Sequence, residues 1–151
     1  MQNILIAADH AGFETKEYLK EILGEQGYAF RDFGAFSAES MDYADVVHPL
    51  AQEIDKGDYS LGIILCGSGN GVNMTANKYP RVRSALCWQV EIAALARQHN
   101  DANVLAIPAR FVSKQTALEI ATTFLTTAFE GGRHCRRVEK ISKPFNGSGE
   151  G

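Results

Sequence analysis

The chain has 151 residues, enough for one domain with a proper core, and its 45% hydrophobic and 22% charged content is ordinary for a globular protein. A formal net charge of -3 argues against a general nucleic-acid binder, although basic residues gather near the C-terminus. No apolar run approaches the ~20 residues that span a bilayer, no basic and apolar leader opens the chain, and three cysteines form no CxxC pair, so the expectation is a cytoplasmic protein with reduced thiols and no membrane contact.

Taken in order, Asn3 to Ala8 reads as a short apolar strand that ends in Asp9-His10-Ala11-Gly12. Phe13 to Gln26 reads as a helix whose apolar face is Phe13, Leu19, Ile22 and Leu23, with Gly27 as its C-terminal stop. Tyr28 to Phe33 is a second strand, and Gly34 to Tyr43 a polar loop. In Ala44 to Lys56 the residues Val47, Leu50, Ala51 and Ile54 follow helical spacing, while Pro49 predicts a late start or a kink. Gly57-Asp58 turns the chain into a third strand, Leu61 to Cys66, and a third helix is expected after Gly71. Ser84 to Cys87 is a short strand, Trp88 to Arg97 a helix, and Val104 to Ile107 a fifth strand. Ser113 to Phe129 carries the clearest helical stripe: Ala117, Ile120, Ala121, Phe124, Leu125 and Ala128. Arg133 to Ile141 is a short basic helix, and residues 144–151 read as a flexible tail after a single domain of residues 1–143.

Five alternations of strand and helix predict an α/β fold: a doubly wound, Rossmann-like five-stranded parallel sheet with helices on both faces. Such sheets bind ligands at the carboxyl ends of their strands. There the chain puts Asp9 and His10 after strand one, Cys66 and its glycine loop after strand three, and Arg110 after strand five. His99 and Asn100 fall in the approach to strand five, and periodicity does not bring them to the same mouth.

The stretch Leu65-Cys66-Gly67-Ser68-Gly69-Asn70-Gly71-Val72 carries the sharpest signal. Alternate glycines let a backbone bend tightly and present N–H groups to an anion beside a helix start. That setting also favours thiolate at Cys66, although a cysteine ending a buried strand is more often a small hydrophobe. Asp9-His10 can be a capping turn or a polar ligand contact. His99 can sit at a helix C-terminus for the dipole or serve as a general acid or base. Arg133 and Arg137, four apart, are a solvated basic face or a bidentate phosphate clamp.

Several chemistries are excluded. Val72-Asn73 follows Gly71 where a phosphate-loop NTPase needs Lys-Ser/Thr. Val72 also stands where a cysteine phosphatase needs arginine. The glycine spacing fails the dinucleotide fingerprint, and no His, Cys or carboxylate grouping has zinc-ligand spacing. Cys87 and Cys135 read as packing or solvent-facing thiols.

The motifs Asp9-His10-Ala11-Gly12, Asp42-Tyr43, Cys66 to Gly71, Ala76-Asn77-Lys78, Arg97 to Asn103, Arg110, and Gly131-Gly132-Arg133-His134 with Arg137-Val138 together span nearly the whole chain. In that order they resemble the B-type ribose-5-phosphate isomerases, within the wider family of galactose-6-phosphate and allose-6-phosphate isomerases. One branch of the family places a glutamate base directly after the glycine loop; Val72 stands there, so the chain resembles the cysteine-base branch. The resemblance implies an isomerase with no cofactor and no metal, acting on a phosphorylated sugar. It implies Cys66 as the base and His99 as the ring-opening group, with Asp9 or Ser68 assisting at the sugar hydroxyls. Asp9, His10, Tyr43, Gly67, Gly69, Asn70, Gly71, Asn100, Arg110, Arg133, His134 and Arg137 would then contact substrate. It further implies a homodimer or homotetramer whose sites are shared between subunits. Ribose 5-phosphate is the expected substrate. Another sugar phosphate (allose 6-phosphate, galactose 6-phosphate or a tetrose phosphate) is the alternative, and a non-catalytic sugar-phosphate binder is the reading from a different class.

Overall fold

A computed structural model describes residues 3–57 and 61–145. Its five strands are β1 (Asn3–Ala8), β2 (Ala29–Asp32), β3 (Gly62–Cys66), β4 (Ser84–Leu86) and β5 (Val104–Pro108). The helices are α1 (Phe13–Glu25), α2 (Tyr43–Lys56), α3 (Asn70–Ala76), α4 (Val90–Asn100), α5 (Lys114–Thr126) and α6 (His134–Ile141). All strand pairs are parallel, in the order β2-β1-β3-β5-β4. The expected doubly wound α/β fold is therefore what the chain forms.

The unbroken apolar runs are explained by a sheet covered on both faces. Ile4, Ile6 and Ala8 of β1, Ile63 and Leu65 of β3, and Leu105 and Ile107 of β5 pack with Leu19 and Leu23 of α1 and with Ala117, Ile120, Ala121 and Phe124 of α5. Their neighbours Leu5, Ala7, Ile64, Cys66, Val104 and Ala106 pack on the opposite face with Val47, Leu50, Ala51 and Ile54 of α2 and with Val72 and Ala76 of α3. Successive side chains of one strand thus feed two cores, so no polar alternation survives in the sequence.

Several boundaries differ from expectation. α2 begins at Tyr43 and runs through Pro49 without a late start. Five buried side chains on that helix, Val46 among them, hold it against the sheet, which outweighs the hydrogen bond that proline removes. α3 begins at Asn70, so Gly71 lies inside its first turn rather than in the loop. α4 continues to Asn100, taking His99 and Asn100 out of the expected approach loop. α5 starts where the Ser113 Oγ accepts the Thr116 N–H at 3.0 Å and stops at Thr126, leaving Ala128 exposed beyond the stripe. In α1, Phe13 and Ile22 are only half-buried, and Thr15 and Lys16 take buried positions instead.

Lys16 is fully buried because it has partners. Its Nζ bonds Asp32 at the end of β2 and Glu17 at 2.9 Å. Lys20 reaches the same Asp32 oxygen at 2.8 Å. The other oxygen of Asp32 accepts the Gly34 N–H at 2.8 Å, anchoring the loop that runs on to α2. Burial alone would push the Asp32 carboxyl up, but the two ammonium groups and the Gly34 N–H outweigh it and hold the carboxyl below its usual range. Among the described residues no helix is long and apolar enough to cross a membrane. Of the expected tail, Pro144 and Phe145 are exposed and residues 146–151 lie outside the described residues, as does Asp58 of the turn before β3.

Candidate active site

The carboxyl ends of β1, β3 and β5 open into a groove of about 700 Å3. Asp9, His10, Tyr43, Cys66, Gly67, Ser68, Gly71 and Arg110 line it, as the sequence suggested. Ser40, Met41, Asp42 and Phe111 line it as well; of these the sequence reading had singled out only Asp42. Tyr43 opens α2, which forces residues 40–42 over the groove, and Phe111 follows Arg110 directly. Those adjacencies were the available signals.

Each side chain is set by its element. Cys66 ends β3 opposite Pro108 of β5, faces the α2/α3 core and is 5% exposed. Asp9, nearly buried after β1, accepts the Ala11 N–H at 2.9 Å and the Gly12 N–H at 3.2 Å through Oδ1, so it caps the turn and still lines the groove. His10 Nδ1 accepts the Met41 N–H at 3.2 Å, which leaves Nε2 carrying the proton in the neutral ring and able to donate. Ser68 is exposed, and its Oγ accepts the Asn70 N–H at 3.3 Å where α3 begins.

The three glycines of the loop do different jobs. Only Gly69 is left-handed, at φ +77, and a Cβ there would also sit 2.4 Å from Leu86 Cδ1. Gly67 gives room to Arg110, whose Cδ and Nη1 would lie 3.2 Å from a Cβ. Gly71 receives the Tyr43 ring, with Cζ 2.3 Å from where a Cβ would be. The Arg110 backbone N–H donates to the Gly67 carbonyl at 3.0 Å, tying the β5 loop to the β3 loop.

Of the other predicted residues, Gly69 and Asn70 belong to the same loop at the start of α3, and the rest lie elsewhere in the chain. α4 starts at the carboxyl edge of the sheet and descends for about 13 Å to His99. Asn103, just beyond it, bonds Gly62 and Arg83 at the starts of β3 and β4. His99 and Asn100 therefore stand at the amino edge, separated from Cys66 by the length of β5, roughly 16 Å. α6 packs on α4, so His134, Arg133 and Arg137 belong to that edge too. There His99 stacks on His134 with ring centroids 4.3 Å apart. Glu130, which the sequence reading missed, puts Oε1 3.4 Å from His134 Nε2 and 3.8 Å from His99 Nε2. Asn100 lines a separate depression with Lys78, Arg83 and Ile141. Arg133 and Arg137 are exposed at the start of α6.

The thiols differ. Burial pushes the Cys87 thiol up to about 12, so it stays protonated at neutral pH, whereas Cys135 is exposed beside the arginines.

A family profile described as Ribose/Galactose Isomerase matches residues 4–141. Ribose-5-phosphate isomerase B of Escherichia coli is 38% identical over 142 residues, covering 94% of this chain and 95% of that one. The solved structure of a ribose 5-phosphate isomerase from Thermotoga maritima matches with a TM-score of 0.92 at 44% identity, over 95% of this chain and 99% of the other. A ribose-5-phosphate isomerase B from Mycoplasma genitalium, solved with bound ribulose-5-phosphate, matches with a TM-score of 0.89 at 42% identity, over 93% of each chain. With the profile running from the first strand to the last helix, this chain belongs to the ribose/galactose isomerase family.

Proposed function

We propose that the protein interconverts ribose 5-phosphate and ribulose 5-phosphate, with Cys66 as the base. The observation that carries this is a nearly buried thiol at the end of β3, in a groove that also holds Asp9, His10 and Arg110. Relatives named ribose-5-phosphate isomerase B support the substrate, and one of them binds ribulose-5-phosphate.

The chemistry assigns roles. The furanose must open first: His99 gives a proton to the ring oxygen as its bond to C1 breaks, and the C1 hydroxyl passes its proton to water, leaving C1 as the aldehyde. Cys66 as thiolate then takes the proton from C2. The released electron pair forms the C1–C2 double bond, and negative charge gathers on O1. N–H groups of the Gly67 to Gly71 segment are the donors for that charge, assisted by Ser68 and Asn70. The thiol returns its proton to C1 as the C2 hydroxyl proton passes to O1 and C2 becomes the ketone. A positioned base contributes about 10²–10⁴-fold. Asp9, Tyr43 and Asn100 hold sugar hydroxyls. His10, Arg110, Arg133, His134 and Arg137 hold the phosphate end, whose binding energy positions the reacting end.

These roles require two chains. Cys66 and His99 stand at opposite edges of one sheet, so the amino edge of one chain completes the groove of another in a homodimer or a dimer of dimers. Exposed Met74, Trp88 and Phe111 supply apolar surface for that contact. A charged sugar phosphate does not cross membranes unaided, which fits a cytoplasmic enzyme.

Turnover of ribose 5-phosphate by wild type and Cys66→Ala, with and without a chelator, is the test. Chelator-insensitive turnover that Cys66→Ala lowers by about 10²–10⁴-fold supports the reading. Turnover that survives the substitution removes Cys66 as base. A wild type inactive on ribose 5-phosphate but active on a six-carbon or four-carbon sugar phosphate changes the substrate and keeps the reaction class.

A further inference from the structure

His99, Glu130 and His134 come from three pieces of chain and converge on one point. The Glu130 backbone N–H donates to the Gln98 carbonyl at 3.0 Å, which pins it beside the last turn of α4. Gly131 and Gly132 follow, both left-handed at φ +69 and +57, and reverse the chain into α6. The His134 N–H closes that turn on the Gly131 carbonyl at 3.1 Å. His134 is thereby buried, with 9% of its side chain exposed, while His99 is 39% exposed. One ring nitrogen of each histidine and a Glu130 carboxylate oxygen lie within 4.8 Å of one another. Glu130 Oε1 is 3.4 Å from one ring nitrogen and 3.8 Å from the other, near the roughly 3.3–3.5 Å edge of a tetrahedron with zinc-like bonds of about 2.0–2.1 Å.

We propose that His99, Glu130 and His134 form a binding site for a divalent transition metal of the zinc class, and that loading it withdraws both histidines from the substrate. Imidazole nitrogen and carboxylate oxygen suit zinc, cobalt, nickel and copper, whereas magnesium and calcium favour all-oxygen shells. Three protein ligands leave a fourth position open to water. His134 and Glu130 are held by the turn, and the more exposed His99 ring turns out of the stack so that both lone pairs meet the ion. The surrounding charge makes Glu130 decisive. Arg133, Arg136 and Arg137 crowd the start of α6, and Asp101 is taken by Arg83 and Arg97. The effect on turnover rests on the isomerase reading above; the binding does not.

The test titrates the intact, metal-free protein with Co2+ and Zn2+, reading cobalt absorption and equilibrium dialysis. The expected result is one ion per chain, a tetrahedral cobalt spectrum without a thiolate band, and displacement by Zn2+. Cys66→Ala and Cys135→Ser keep this binding. Glu130→Gln, at a half-exposed position that leaves the core intact, weakens it by at least about 10–100-fold. In turnover assays Zn2+ inhibits wild type, chelator restores it, and Glu130→Gln needs correspondingly more Zn2+. Absence of stoichiometric binding, loss of binding in the cysteine variants, or indifference to Glu130→Gln overturns the site. Stoichiometric binding that leaves turnover unchanged overturns the inhibitory role alone. A metal-free wild type that turns over no sugar phosphate counts against the isomerase reading and leaves the binding result standing.

Discussion

The two edges of the sheet are built differently. At the carboxyl edge, strand ends and short loops hold Asp9, His10, Cys66 and Arg110, and the scaffold beneath is buried and cross-linked by Lys16, Asp32 and the Gly34 N–H. At the amino edge, a helix end and a two-glycine turn hold His99, Glu130 and His134, with Arg133 and Arg137 exposed beside them. One edge is a groove lined by strand ends, and the other carries stacked histidines with exposed arginines beside them. On the proposed roles, the contrast teaches that reacting groups need not be neighbours in one chain, since a symmetric pair of chains would present each edge to the other.

The sharpest way to break that view is subunit complementation. Cys66→Ala and His99→Ala chains, each inactive alone, are mixed and allowed to exchange. A shared site puts both lesions in one of the two sites of a mixed dimer and leaves the other intact, so random exchange restores about a quarter of wild-type turnover. No recovery in a preparation shown to contain mixed dimers returns the whole site to one chain. Next in size, Arg137→Ala raises KM for the phosphorylated substrate by about 10–100-fold, the loss of a charged hydrogen bond, with a smaller change in kcat. An effect on kcat alone would move Arg137 from the phosphate to the reacting end.

The buried scaffold of the carboxyl edge gives the third prediction. Asp32→Asn strands the Lys16 ammonium with only the half-exposed Glu17, at a cost of about 3 kcal/mol in denaturant unfolding. The sign with pH follows from the lowered carboxyl of Asp32. Its contribution is complete above the ordinary carboxylate range and is lost as pH falls through the depressed folded value. Wild type therefore loses stability on acidification more steeply than Asp32→Asn, and parallel acid limbs would remove Asp32 from the account. Smallest is the effect of Cys87→Ala on turnover, which is none. Iodoacetamide at neutral pH labels Cys135 and spares Cys87, whose thiol sits at about 12.

Much of this was legible in the sequence because burial writes itself as pattern. The runs from Ile4, Ile63 and Val104 could only be strands covered on both faces, and the Ala117 to Leu125 stripe could only be one side of a helix. The groove residues were legible where a strand end and a polar loop coincide, at Asp9-His10 and Cys66-Gly67-Ser68. Where tertiary contact decides, the sequence was mute. Nothing local announces that Tyr43 lies on Gly71, that β5 separates β3 from β4, or that Lys16 is buried on a face read as apolar. Glu130 escaped notice because its partners His99 and His134 are joined through a turn, not through spacing on one helix. The resemblance named the candidate residues, and the fold sets them at two ends of the sheet.

The strand order has a further consequence for how the chain is made. β5 lies between β3 and β4, although it is the last strand to be synthesised. Until Val104 to Pro108 leave the ribosome, β3 is an open edge whose Gly62 to Cys66 backbone pairs on one side only. That edge is apolar throughout and carries no charged gatekeeper, the composition that invites pairing with another nascent chain. A chain truncated before Val104 should therefore collect in aggregates. The interval between synthesis of β3 and arrival of β5 is then the window in which a chaperone matters most to this protein.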